Sequence, residues 1–257
     1  MNTVHFIGAG PGDAGLITVK GAHLLGEADL VVYAGSLVDR ELVRCHAPRA
    51  EVHDSAGLTL AETTGLLARA VAAGKRVVRL HTGDPSLYGA IQEQMVELDR
   101  LGIDYAVVPG VTSACAAAAA LKQELTLPEV SQTVIVTRLA GRTPVPERER
   151  LAAIAKIGAT LVIYLSVGMI DEVVAELLQG VYVATTPVAV VAKASWPDER
   201  IVTGSLGDIA EKVRGAGIDR QAVIIVGDVL RFRQQGLEAV SRLYAADFSH
   251  GFRDRSA

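Results

Sequence analysis

His81-Thr-Gly-Asp-Pro-Ser-Leu-Tyr-Gly89 follows directly on the short apolar run Arg76–Leu80. An earlier stretch, Phe6-Ile-Gly-Ala-Gly-Pro-Gly-Asp13, begins within the apolar run Val4–Ile7 and continues directly into a second glycine-rich turn. Glycine turns directly after short buried strands are typical of alternating α/β domains, in which strand ends meet at a ligand crevice. The two stretches therefore predict two neighbouring strand ends with a binding site beside them.

The composition indicates a globular protein that acts on small molecules. The chain has 257 residues, of which 50% are hydrophobic, and a formal net charge of -4. This length suits one large domain or two of ordinary size, and the apolar fraction is ample for a packed core. Because the net charge is negative, nothing points to a nucleic-acid partner.

Cysteine usage and the N-terminus indicate a reducing compartment. Cys45 and Cys115 form neither a metal-ligand spacing nor a disulfide framework, and the six histidines show no metal-ligand spacing. The first residues enter a strand pattern directly, without the basic and apolar regions of a signal peptide. The apolar runs are far shorter than the roughly 20 residues that span a membrane. We expect a cytoplasmic enzyme with no bound metal and no membrane partner.

Strand and helix patterns divide the chain into two α/β domains. In the first half, apolar runs alternate with helical periodicity, which predicts a doubly wound, mostly parallel sheet. The second half has more strands per helix, which predicts a mixed sheet. We place an N-terminal domain at 1–110, a linker helix at 111–121, a C-terminal domain at 122–230 and a polar tail at 231–257. The default location of a ligand is a cleft between the domains.

The first glycine loop fits neither common nucleotide site. It lacks the lysine of a phosphate-binding loop, Pro11 removes one amide donor, and Asp13 places a negative charge where a phosphate would bind. A dinucleotide site needs an acidic residue at the end of the second strand, yet the strand Leu30–Tyr33 is followed by Ala34-Gly-Ser36. A tight strand-to-helix turn with no ligand is the alternative.

The other candidate residues each have a plain structural alternative. Thr112 and Ser113 offer two hydroxyls at the domain junction, and they equally suit the start of the alanine-rich helix that follows. Arg138 and Arg142 flank a Gly/Pro-rich loop, where solvated surface charges are common. The sequence contains no Ser/His/Asp arrangement and no paired-carboxylate site.

Six short segments occur together in the order that is found in one enzyme family, and the chain resembles the tetrapyrrole (corrin/porphyrin) methylases. The segments are Gly8-Ala-Gly-Pro-Gly-Asp13, Gly83-Asp-Pro85, Pro109-Gly-Val-Thr-Ser113, Thr137-Arg138, Leu161-Val-Ile-Tyr-Leu165 and Ile224-Ile-Val-Gly227. The resemblance runs from Val4 to about Leu230. It implies two α/β domains, a tetrapyrrole substrate, S-adenosylmethionine as methyl donor with S-adenosylhomocysteine as product, and a homodimer.

The resemblance also implies site residues. The cofactor would be bound by Pro11, Thr82, Gly83, Asp84, Leu87, Thr112, Ser113, Leu165 and Ala194. Because the substrate carries acetate and propionate groups, Arg138 and Arg142 are candidate substrate ligands. No general base is identified; Asp13 and Tyr33 lie near the expected crevice and are candidates for that role.

Within the family, the segments Tyr33-Ala-Gly-Ser-Leu-Val38 and Trp196-Pro-Asp-Glu199 are similar to a subgroup that methylates a corrin precursor in cobalamin biosynthesis. Whether that substrate is metal-free or contains cobalt stays open. Uroporphyrinogen-III methyltransferases carry Tyr-Asp where this chain has Tyr33-Ala34, which disfavours that activity. Two further alternatives are an NAD(P)-dependent oxidoreductase, resting on Gly8-Ala-Gly10, and a tetrapyrrole-binding protein without turnover.

Overall fold

The computed structural model describes residues 3–35, 37–231, 241 and 248–249. The chain forms two compact units. The first comprises residues up to Ala117 together with Lys193–Glu199, and the second comprises Ala118–Ala192 and the residues from Arg200 onward. The predicted tail 231–257 lies almost wholly outside the described residues.

The first unit contains a five-stranded parallel sheet. Its strands are β1 (Thr3–Gly8), β2 (Leu30–Tyr33), β3 (Glu51–Asp54), β4 (Val77–His81) and β5 (Asp104–Val108). Their order is β3-β2-β4-β1-β5, and every pairing is parallel. The helices are α1 (Val19–Glu27), α2 (Arg40–His46), α3 (Leu60–Ala72), α4 (Ile91–Arg100) and α5 (Ser113–Leu121).

Helices cover both faces of this sheet, which confirms the doubly wound prediction. Leu25 of α1 and Leu42 of α2 join one buried cluster, while Leu67 of α3 and Leu98 of α4 join the other. The central strands β1, β2 and β4 feed both clusters because successive side chains point to opposite faces. Thr18 caps α1, as its pattern predicts, by accepting a hydrogen bond from the amide of Gly21.

The second unit contains the predicted mixed sheet. Its elements are β6 (Val134–Arg138), α6 (Leu151–Ile154), β7 (Thr160–Tyr164), α7 (Ile170–Leu177), β8 (Pro187–Ala192), β9 (Arg200–Ser205), α8 (Ile209–Gly215) and β10 (Ala222–Val226). The strand order is β6-β7-β10-β8-β9. Only the β6–β7 pairing is parallel; the other three are antiparallel.

The division between the units falls inside α5, between Ala117 and Ala118, which lies within the predicted linker helix. One feature differs from the sequence-based domain plan: Lys193–Glu199 belongs with the first unit although it connects β8 to β9. Among the described residues, none of the helices is long and apolar enough to cross a membrane.

Candidate functional site

The two glycine loops that open the sequence argument lie side by side in the first unit. β1 and β4 are adjacent and parallel, so both loops leave the same edge of the sheet. The amide of Gly83 donates to the carbonyl of Gly10 over 2.8 Å, and the amide of Gly10 donates to the carbonyl of Gly83 over 3.3 Å. The prediction that the two strand ends meet is confirmed.

A third loop, Pro109-Gly-Val-Thr-Ser113, joins them from β5, the other neighbour of β1. The side chain of Asp84 fastens it, because Oδ2 accepts a 2.9 Å hydrogen bond from the amide of Gly110. Partial burial on its own would raise the pKa of Asp84, but hydrogen bonds from Ser86 and from the Gly110 amide lower it below its ordinary value. The ionised carboxylate therefore holds two loops together.

The segment Lys193–Glu199, which includes the predicted cofactor residue Ala194, packs against the first loop, a contact that sequence reasoning did not predict. The indole Nε1 of Trp196 donates to the carbonyl of Pro11 over 2.8 Å, and the amide of Asp13 donates to Oγ of Ser195 over 3.0 Å. A Cβ on Gly12 would lie 2.1 Å from the Trp196 ring, so this packing requires glycine at position 12. The one available signal was Trp196 itself, the single tryptophan of the chain.

Eight of the nine residues assigned to cofactor binding lie in the first unit. They are Pro11, Thr82, Gly83, Asp84, Leu87, Thr112, Ser113 and Ala194. Leu165 lies in the second unit, directly after β7, with a left-handed φ of 54° and 63% exposure. A left-handed, exposed leucine is unusual and is often associated with function.

The structure gives structural roles to both candidates for a general base. Oδ1 of Asp13 accepts a hydrogen bond from the Gly15 amide and so caps a short 3₁₀ turn. Tyr33 is buried in the core, and its hydroxyl accepts a 3.0 Å hydrogen bond from Nε of Arg40. Neither side chain is presented as a free proton acceptor, and their catalytic assignment stays a prediction.

The two arginines predicted to bind substrate have different surroundings. The Arg138 guanidinium donates to the carbonyls of Thr143 and Pro144 over 3.1 and 2.7 Å, so it holds the loop that follows β6. Arg142 lies exposed on that loop, and the described part of the chain gives its guanidinium no partner. Arg138 thus orders the loop that carries Arg142.

An acidic residue that sequence reasoning missed lies beside the end of β2. Asp54 ends the neighbouring strand β3, and its Oδ1 accepts hydrogen bonds from the amides of Ala56 and Gly35, which lower the pKa of this carboxyl. A Cβ on Gly35 would lie 2.1 Å from this carboxylate. Because Oδ1 is used within the loop, Asp54 is a poor substitute for the ribose-binding acid of a dinucleotide site, which accepts two hydroxyls.

His81 is buried beneath the second glycine loop. Its side chain is 6% exposed, its ring centroid lies 5.9 Å from that of Phe6, and Nε2 has no hydrogen-bond partner among the described residues. Burial, together with the charge of Arg79, lowers the pKa of His81 to about 3. The imidazole is therefore neutral in the folded protein at ordinary pH.

We expect this burial to make the fold sensitive to mild acid. Since the pKa of His81 is below its unfolded value, the unfolded chain alone binds a proton between about pH 6.5 and 3. Stability present above pH 6.5 is lost as the pH falls, by up to about 1.4 kcal/mol per unit. His81→Gln should remove this slope in urea titrations between pH 4.5 and 7.5. His23→Gln, at a side chain 71% exposed, should keep it; equal slopes in both variants would contradict the assignment.

The three loops are rich in backbone polar groups and contain no positive side chain. Residues 8–13, 82–90 and 109–113 include no lysine, arginine or histidine, and they include two aspartates, Asp13 and Asp84. Such a surface disfavours the phosphates of a dinucleotide and suits a neutral or positively charged ligand. In the described part of the chain, no group of three or more His, Cys, Asp or Glu residues is arranged to hold a metal ion.

Comparison with known proteins assigns the chain to one family. The family model for Tetrapyrrole (Corrin/Porphyrin) Methylases matches residues 3–210, so the chain belongs to that family and is a methyltransferase. The cobalt-precorrin-4 C(11)-methyltransferase of Methanocaldococcus jannaschii is 54% identical over 97% of this chain and 95% of its own length. The precorrin-4 C(11)-methyltransferase of Mycobacterium tuberculosis is also 54% identical, over 89% of this chain and 91% of its own.

A solved structure in the same family was determined with a bound ligand. It is the uroporphyrin-III C-methyltransferase of Thermus thermophilus complexed with S-adenosylhomocysteine, which is 33% identical to this chain. The match has a TM-score of 0.76 and covers 89% of this chain and 99% of that one. The family and the two-sheet fold predicted from the sequence are therefore confirmed.

Proposed function

We propose that this protein transfers the methyl group of S-adenosylmethionine to C-11 of precorrin-4, giving precorrin-5 in cobalamin biosynthesis. The observation that carries the proposal is the 54% identity to two C(11)-methyltransferases, one named for precorrin-4 and one for cobalt-precorrin-4, over 89% and 97% of this chain. The three-loop cluster of the first unit supports it, because its electrostatic character suits a sulfonium ligand.

The loop residues fit the methyl donor. Gly83 has a φ of 58°, and a Cβ there would meet no atom closer than 3.8 Å, so the backbone leaves room for a ligand against this turn. Pro11, Gly83, Asp84 and Thr112 would hold S-adenosylmethionine mainly through backbone groups, with Thr82, Leu87, Ser113, Leu165 and Ala194 completing the site. Asp84 is the nearest fixed negative charge for a cationic donor.

The bound donor supplies a methyl group that is already activated by the sulfonium, and an electron-rich ring carbon accepts it in an SN2 displacement. The protein's task is then to hold the ring carbon in line and to exclude water. Alignment alone can contribute roughly 7–11 kcal/mol in favourable systems. This chemistry requires neither a metal nor a protein nucleophile.

The exposed loop after β6 is proposed to recognise carboxylates of the substrate. Arg142→Gln should raise the KM for precorrin-4 about fivefold and leave the KM for S-adenosylmethionine unchanged, because one charge-assisted hydrogen bond is lost at an exposed site. Lys156→Gln is the matched control, since Lys156 is an exposed cation near the opposite end of the sheet, ahead of β7. Equal effects of both substitutions would exclude a direct contact by Arg142.

Methyl-labelled S-adenosylmethionine and enzymatically made precorrin-4, supplied with and without cobalt, test the function by mass spectrometry. One added methyl on the metal-free ring, placed at C-11 by NMR, is the expected result. An added methyl group on the cobalt-containing ring alone would assign the cobalt-precorrin-4 reaction to this protein. Binding of the ring without transfer would favour a tetrapyrrole-binding protein instead.

The family resemblance also leads us to propose a cytoplasmic homodimer. Analytical ultracentrifugation of the full chain tests the oligomeric state directly, with a sedimenting mass near twice 27.0 kDa as the expected result.

A further inference from the structure

A cavity of about 220 Å³ lies in the first unit, at the far end of the second glycine loop, where Ala90 contributes to its wall. It opens between the starts of α3 and α4, near the ends of β3 and β4. Its lining includes Arg79, Gln94, Thr59, Thr63, Leu60 and Glu93. Neither the sequence motifs nor the proposed methyl-donor site uses any of these residues.

Arg79 is a buried cation on the wall of this cavity. The residue is 7% exposed; its Nε donates to Oε1 of Gln94 over 3.0 Å and its Nη1 to the carbonyl of Val32 over 3.2 Å. No hydrogen bond from Nη2 to another described residue occurs. Burial lowers the pKa of Arg79 to about 10, opposed by the charge of Asp54, so the guanidinium stays charged at neutral pH.

A buried charge is costly unless a counter-charge or further hydrogen bonds compensate it. Asp54 compensates only in part, because its carboxylate acts on Arg79 through charge and no hydrogen bond between the two side chains occurs among the described residues. Glu93, the other acid at the cavity, is exposed, where solvent weakens its interaction. The cavity therefore retains an unmatched positive potential.

The helix starts around the cavity add to that potential. α4 is ten residues long, and its N-cap, Ala90, lies at a left-handed φ of 47° and supplies no side-chain cap. The first-turn amides of α4 thus donate no hydrogen bond to a capping side chain, and a helix N-terminus favours negative charge. At α3, by contrast, Thr59 and Glu62 already form a complete capping box.

We propose that this cavity, termed here the Arg79 pocket, binds one carboxylate side chain of the tetrapyrrole, with Nη2 of Arg79 as a donor. The proposal rests on the proposed function, which supplies a substrate bearing acetate and propionate groups. A volume of about 220 Å³ admits such a side chain but not the ring itself. The Arg79 pocket would orient the ring by one of its edges.

Negative, neutral and positive substitutions of one residue at the mouth of the Arg79 pocket test the proposed carboxylate binding while the buried arginine stays unchanged. Leu60 is the first residue of α3 and is 42% exposed. Leu60→Glu should raise the KM for precorrin-4 about fivefold over Leu60→Gln, a change of about 1 kcal/mol for charges in a watery surrounding. Leu60→Lys should lower it, and the KM for S-adenosylmethionine should stay unchanged in all three.

Val19→Glu is the matched control. Val19 is also the first residue of a threonine-capped helix, α1, which packs on the opposite face of the sheet, and it is 89% exposed. Arg79→Lys serves as a second variant: it should raise the KM for precorrin-4 more than tenfold while leaving the charge of the fold unchanged. Thermal unfolding separates loss of binding from loss of the fold.

Equilibrium binding of uroporphyrin III, a stable octacarboxylate porphyrin, followed by its fluorescence, keeps the proposal separate from the proposed function. Binding of uroporphyrin III that is weakest in Leu60→Glu, intermediate in Leu60→Gln and tightest in Leu60→Lys supports the Arg79 pocket, even if precorrin-4 is not methylated. Equal Kd values for the three variants, or an equal effect of Val19→Glu, would overturn it even if the wild-type enzyme methylates precorrin-4.

Discussion

Gly110→Ala is expected to destroy the three-loop cluster. A Cβ at position 110 would lie 2.1 Å from the carbonyl oxygen of Gly83 and 2.8 Å from Cα of Gly8. Both obstacles are backbone atoms, so no side-chain rotation relieves the overlap. We expect a loss of at least about 3 kcal/mol in the free energy of unfolding, at the upper end of overpacking effects.

The effect on ligand binding should exceed the effect on stability. Moving Gly110 also displaces its amide from the Asp84 carboxylate, so the loops from β4 and β5 separate. Calorimetry should show a loss of S-adenosylmethionine affinity of more than 100-fold in any Gly110→Ala protein that folds.

Alanine substitutions at two further glycines serve as comparisons for the stability effect of Gly110→Ala. Gly83→Ala has room for its Cβ, with the nearest atom 3.8 Å away, but must hold a φ of 58°, which costs about 1–2 kcal/mol. Gly26→Ala, on the exposed side of α1, meets only a carbonyl oxygen at 3.7 Å and should gain up to about 1 kcal/mol of helix propensity. If Gly110→Ala behaved like Gly26→Ala, the three loops would not pack as described.

The meeting of the glycine loops was predictable from the sequence because parallel strands end at a common edge. Two apolar runs, each followed at once by glycine, suffice to place Gly10 beside Gly83. In contrast, β3 was not predicted. Its sequence, Glu51-Val-His-Asp54, is polar and exposed, and the strand forms because it pairs with β2, while Glu51 is paired with Lys75 at 2.6 Å.

The residues that sequence reasoning missed are those whose roles depend on distant partners. Arg79 sits in an apolar run, and the pattern predicts only a buried strand; its environment is set by Gln94 on α4 and by the cavity beside it. Trp196 reaches Pro11 across 185 positions, beyond any local periodicity. Asp54 was missed for the same reason as β3, whose last residue it is.

Removal of the contact between Trp196 and the first glycine loop is expected to lower both stability and affinity for the methyl donor. Trp196→Ala removes the indole and its 2.8 Å hydrogen bond to the Pro11 carbonyl, and it leaves the bond from the Asp13 amide to Oγ of Ser195 as the remaining hydrogen bond of this segment to the first loop. We expect a loss of roughly 3 kcal/mol of stability for a half-buried tryptophan. Because Pro11 and Ala194 are proposed to bind the methyl donor, the KM for S-adenosylmethionine should rise at least tenfold.

A double-mutant cycle with Gly12→Ala identifies the cause. In the wild type, a Cβ on Gly12 would overlap the indole at 2.1 and 2.2 Å, so the ring must leave Pro11. In Trp196→Ala that obstacle is gone, and Gly12→Ala should cost almost nothing further. Urea unfolding should therefore show a coupling of about 1–2 kcal/mol between the two substitutions, within the range for residues in contact. Trp196→Phe, which keeps a ring but lacks the Nε1 donor, should retain the Gly12 penalty while still raising the KM for S-adenosylmethionine. Strict additivity in the cycle would mean that the indole and the glycine loop act independently, and the segment Lys193–Glu199 would then have no part in shaping the site.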